Sequence, residues 1–215
     1  MSDRSRLGMF TSHRQAPTLA WGRTFAGVCL TIVLTGALGG GVQAANLEGQ
    51  QFDDTVVLDK RKLQLNGLGL RGVAWVKAFV AGLYVTTPSR DATQLLSDTG
   101  PRRLRLKIML QAPSSELTKS LLRRVRRHEP PEVQARLAER LTLFAQQLDG
   151  LGELMPGDVV DMDYLPGKGL VLSRNGQVTG KPLMGDDLYR AILQIFVGEH
   201  AIDPRMRQGL LGVTT

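Results

Sequence analysis

Residues Arg102 to Leu110 place Arg103, Arg105 and Lys107 in strict alternation with Leu104, Leu106 and Ile108. A period of two sends successive side chains to opposite faces of a pleated strand, so this segment predicts a strand with one buried and one wet face. The buried face needs a covering layer, and the residues that follow supply one. Ser114 to Arg127 repeats Leu117, Leu121 and Val125 at helical spacing, and Pro131 to Leu148 carries Val133, Leu137, Leu141, Phe144 and Leu148 on one stripe before Gly150 closes it.

Strand chemistry dominates the stretch before this unit: Gln51 to Leu58, Lys62 to Leu70, and the long run Val73 to Thr86. Asp91 to Leu96 suits a short helix stopped by Gly100-Pro101. Beyond the helices, Val159 to Tyr164, Leu170 to Arg174 and Gln177 to Lys181 form a meander joined by Pro166-Gly167-Lys168-Gly169 and by Asn175-Gly176, a strong hairpin signal. Asp186 and Asp187 favour the start of a helix running to Phe196, and a last short helix follows Asp203-Pro204. Repeats and low-complexity linkers are absent. The expectation is one α+β domain, an antiparallel sheet covered on one face by helices.

The N-terminus reads differently. Arg4, Arg6, Arg14 and Arg23 face a single acid, Asp3, so much of the chain's formal +7 belongs to this leader. After Arg23 comes the acid-free apolar run Phe25 to Leu38, then three glycines and Val42-Gln43-Ala44, which predicts an export signal over 1–44 cleaved after Ala44 and a domain over 45–215. The run falls short of the roughly 20 apolar residues that span a bilayer, so no transmembrane segment is expected after cleavage, with an uncleaved anchor as the alternative, and the mature protein is expected in the periplasm or outside the cell. Cys29, the single cysteine, leaves with the signal. Disulfides, thiol nucleophiles and cysteine-bound metals are thereby excluded from the mature chain.

Most chemical motifs dissolve on inspection. Gly67 to Gly72 satisfies G-x-G-x-x-G, but Val73-Ala74-Trp75-Val76 continues as strand where a dinucleotide site needs a helix, so the glycines read as a strand turn or bulge. Asp161 and Asp163 share one strand face and read as solvated charge. His128 and His200 lack partners at metal spacing, and G-x-S-x-G is absent, so neither a cofactor nor a metal is expected. Arg123, Arg124, Arg126 and Arg127 lack interleaved aromatics and have Glu132 and Glu139 nearby, which reads as a solvated helix face with no nucleic-acid role. Arg71 stands apart. It follows a glycine-flanked strand and precedes Val73, Trp75 and Phe79, where a fixed guanidinium on an apolar wall could anchor a carboxylate or phenolate.

The runs Leu65-Asn66-Gly67-Leu68-Gly69-Leu70-Arg71-Gly72 and Lys77-Ala78-Phe79-Val80-Ala81-Gly82-Leu83-Tyr84, with Gly157-Asp158-Val159-Val160 and Gly198-Glu199-His200-Ala201-Ile202-Asp203-Pro204, resemble the chalcone isomerase family, nearest its secreted bacterial branch. The resemblance implies an open-faced β-sandwich with a ligand cleft between a large antiparallel sheet and a layer of helices. It also implies one of two activities: closure of a chalcone to a flavanone, or binding of fatty acids without catalysis. Arg71 matches the family's arginine, which guides the phenolate in isomerases and holds the carboxylate in lipid binders. The hydroxyl-bearing position of the paired strand meets Phe79, the helix bearing the family's tyrosine meets Ser115 to Arg124, and the Thr-Met pair meets Ile195-Phe196. Apolar residues replacing polar ones disfavour enolate stabilisation. Expected ligand contacts are therefore Arg71, Trp75, Phe79, Ile195 and Phe196, around a small amphipathic or aromatic molecule.

Overall fold

The computed structural model describes residues 44–73 and 75–213. The export signal, apart from Ala44, and Cys29 lie outside them. Strands β1 (Ala44–Leu47) and β2 (Gln50–Asp53) form a small hairpin, followed by β3 (Thr55–Leu58), β4 (Arg61–Val73) and β5 (Val76–Val85). Helix α1 (Ala92–Ser97) leads to β6 (Arg102–Ile108), the two-residue β7 (Ala112–Pro113), and helices α2 (Ser114–His128) and α3 (Pro131–Asp149). Then come β8 (Glu153–Leu154), β9 (Val159–Leu165), β10 (Gly169–Arg174), β11 (Gln177–Leu183), α4 (Asp186–Val197) and α5 (Pro204–Leu210).

Seven strands make one antiparallel sheet in the order β11-β10-β9-β6-β5-β4-β3. The alternation in β6 is realised as expected. Leu104, Leu106 and Ile108 join Leu83, Val160 and Met162 beneath Leu121, Val125, Phe144 and Ile192 of the helices, all nearly inaccessible to water. Asn175-Gly176 turns β10 into β11 with both residues at positive φ, as a two-residue hairpin requires. Glu48-Gly49 and Asp59-Lys60 make the same turn, the latter pair without a glycine.

Three sequence expectations are corrected. Gln51 to Leu58 is not one strand: the chain bends at Asp54, leaving the β1–β2 hairpin to enter the large sheet. Nor is the sheet's second face simply wet, because that hairpin lays Phe52 over Val80 and Tyr84. Gly82 makes room for it, since a β-carbon there would lie 2.7 Å from the Phe52 ring. On the same face Asp161 and Asp163, expected in solvent, are 3% and 6% exposed. Each receives a two-pronged contact from the strand opposite, Arg105 on Asp161 at 2.8 and 2.9 Å and Arg103 on Asp163 at 2.7 Å twice.

The G-x-G-x-x-G run has a physical explanation beyond the bulges at its two ends. A β-carbon on Gly67 would lie 2.1 Å from the Gly209 carbonyl oxygen, and one on Gly69 would lie 2.3 Å from that of Met206. Helix α5 therefore rests backbone against backbone on β4, a closeness that only glycine permits.

Candidate functional site

Between the sheet and α2 lies a cavity of about 340 Å³, at the lower end of the range for small-molecule sites. Its floor is Ala78 and Phe79 of β5 with Ile108 of β6. Leu117, Ser120 and Leu121 of α2 face them, and Phe196 of α4 and Ile202 close one side. The paired two-residue strands β7 and β8 contribute Ala112, Pro113 and Leu154 at the other. Among the described lining residues only Arg71 and Glu116 carry charge. Glu116 is exposed and bonds Lys119 at 2.8 Å, and that ammonium holds its carboxyl below the ordinary value.

Arg71 reaches the cavity because it shares the strand face of Gly67 and Gly69 and stands opposite Phe79 in the β4–β5 register. Its side chain is 28% exposed, and its Nη1 donates to Asp203 Oδ2 at 3.2 Å, its one side-chain partner among the described residues. Asp203 Oδ1 accepts from the backbone N–H groups of Arg205 and Met206, capping α5. The glycine seat of α5 thus fixes the carboxylate that holds Arg71. A guanidinium has five N–H donors, so this single bond leaves most of the fork for another acceptor.

Of the residues expected to touch ligand, Arg71, Phe79 and Phe196 lie on the cavity wall, and Trp75 and Ile195 do not. Trp75 sits in the β4–β5 turn, 89% exposed. Strand β4 ends at Val73 and β5 begins at Val76, so the strand alternation does not run through Trp75. Ile195 is buried on another side of α4, beside His128 and His200. One residue along a helix turns the side chain by about 100°, and here that turn carries Ile195 away from the cavity that Phe196 lines.

The structure also assembles groups that sequence spacing kept apart. The His128 and His200 rings stack with centroids 4.6 Å apart. Arg124, expected on a solvated face, instead donates to the carbonyls of His200, Ala201 and Ile202 and straps the segment carrying Ile202 and Asp203 to α2. No group of three or more metal-ligating side chains occurs among the described residues, and none of their helices is long and apolar enough to cross a membrane.

A large antiparallel sheet carrying a layer of helices, with a largely apolar cleft walled by Arg71 between them, defines an open-faced sandwich. Residues 44–212 match the chalcone isomerase-like family model, and the chain belongs to that family. Among solved structures it resembles a fatty-acid binding protein of Arabidopsis thaliana, with a TM-score of 0.60 at 17% identity over 79% of this chain and 96% of that one. No curated protein sequence matches the chain.

Proposed function

We propose that this is an exported, non-catalytic binder of a fatty-acid-like or other amphipathic carboxylate, with the tail in the cavity beneath α2 and the acid on Arg71. The observation that carries the reading is a guanidinium on the wall of an otherwise largely apolar cavity. Burying the tail gains about 0.8 kcal/mol per methylene, and a charge-assisted contact to Arg71 adds roughly 1.5–3 kcal/mol while fixing which end of the ligand is outermost. The fatty-acid binding protein of similar fold supports the same ligand class. Export rests on the leader over 1–44 and its apolar run.

The alternative is an isomerase of a chalcone-like phenol. Cyclisation would need groups that order water and polarise the ketone, and no Tyr, Thr or Asn lies among the described residues lining the cavity. The protein is accordingly expected not to accelerate chalcone cyclisation followed by absorbance decay. Its native mass spectrum after gentle purification is expected to show a retained acid with an apolar tail. A cyclisation rate far above buffer, lost in Arg71→Ala, would restore the isomerase.

A further inference from the structure

We propose that Asp203 is a built-in competitor of the ligand, an internal carboxylate that already holds one nitrogen of Arg71 and offsets charge that an incoming acid would use. The inference rests on the reading of Arg71 as the anchor and adds a residue that sets the affinity of the site.

The Arg71–Asp203 contact is weak by the standard of this molecule. Arg103 grips Asp163 through two nitrogens at 2.7 Å each, whereas Arg71 offers Asp203 one nitrogen at 3.2 Å, outside the 2.7–2.9 Å usual for charge-assisted bonds. Both partners of the loose pair are also partly exposed, at 28% and 15%, which weakens it further. A ligand carboxylate can engage the guanidinium through two parallel bonds and gain where Asp203 does not.

Asp203 also lines a second cavity, of about 450 Å³, that lies along the glycine edge of β4 with Lys77, Arg205 and Glu48 on its wall. Arg71 lines the apolar cavity and Asp203 the polar one, so their ion pair is the partition between the two. Asp203 shares the polar cavity's wall with Lys77, itself paired with Glu48, and with Arg205, and its Oδ1 is held by the α5 amides independently of Arg71. Exchange at Arg71 therefore proceeds without unravelling the helix.

Asp203→Asn separates these roles. Asparagine caps helices about as well as aspartate but presents no charge to Arg71. The expected result, by titration with dodecanoate and with methyl dodecanoate, is dodecanoate binding roughly three- to tenfold tighter than wild type, with ester binding unchanged. Asp203→Ser, which also caps, guards against a folding defect peculiar to asparagine and is expected to behave alike. Should both variants bind dodecanoate no tighter than wild type while Arg71→Ala still loses preference for acid over ester, Asp203 merely positions Arg71 and the competitor model is wrong. Should Arg71→Ala keep that preference, the anchor reading falls and the inference falls with it.

Discussion

Replacing Arg103 by methionine is expected to lower the free energy of unfolding by roughly 3 kcal/mol at neutral pH, the lower end of the range for breaking a buried ion pair because Arg103 is itself 15% exposed. Asp163 would be left buried without its two-pronged donor. Burial already pushes the Asp163 carboxyl above its ordinary value, against the pull of Arg103, and removing Arg103 raises it further. The sign of the pH dependence follows. Below the unfolded carboxyl pKa of about 3.9 the group is protonated in both states and the defect vanishes; as pH rises past that value the unfolded chain ionises freely and the deficit grows. Urea unfolding should therefore show a large loss at pH 7 that shrinks toward pH 4. Arg103→Met with Asp163→Leu should recover stability to within about 1 kcal/mol of wild type, because a matched apolar pair leaves no buried charge unpaired. Wild-type stability in the single variant, or a deficit indifferent to pH, would show that the Arg103–Asp163 pair does not act as a buried ion pair.

Gly69→Ala should be comparably damaging, although it adds one methyl. That carbon would meet the Met206 carbonyl oxygen at 2.3 Å and the Met206 side chain at 2.6 Å, and the backbone oxygen cannot swing aside as a side-chain tip would. Overpacking of this kind typically costs 1–3 kcal/mol, and contact with backbone places Gly69 near the upper value. Helix α5 should lift, taking with it the cap at Asp203 and the wall at Ile202. Hydrogen exchange should show lost protection in residues 204–210 together with weakened acid binding. An unfolding midpoint equal to wild type would mean that α5 does not depend on the glycine seat.

The period-two run in β6 and the helical stripes of α2 and α3 dictate their elements because burial of one face is imposed by local geometry. Asn175-Gly176 likewise needs only its neighbours. The glycine pattern of β4 could not be explained locally, since the helix that demands it lies at the far end of the chain. Asp161 and Asp163 were legible as one face, but alternation does not say what covers a face. The signal available was the matching two-residue spacing of Arg103 and Arg105 with opposite charge. Strands β7 and β8 are too short to show any period, so the end of the cavity they build was invisible. Arg71, Phe79 and Phe196 are reached through family resemblance joined to strand position, whereas the turn at Trp75 carries neither proline nor glycine to announce it.

The most direct test of the central claim compares dodecanoate with methyl dodecanoate in wild type and Arg71→Ala by calorimetry. A bidentate contact in a largely apolar cleft contributes about 1.5–3 kcal/mol, so Arg71→Ala should weaken acid binding by roughly tenfold to over a hundredfold while leaving the ester nearly unchanged. Arg71→Lys should regain only part of the loss, because lysine keeps the charge without the planar fork. Phe79→Ala should weaken acid and ester alike through lost apolar contact. If wild type and Arg71→Ala bound acid and ester with the same preference, Arg71 would serve only its ion pair with Asp203, and the account of a carboxylate-anchoring cleft would be contradicted.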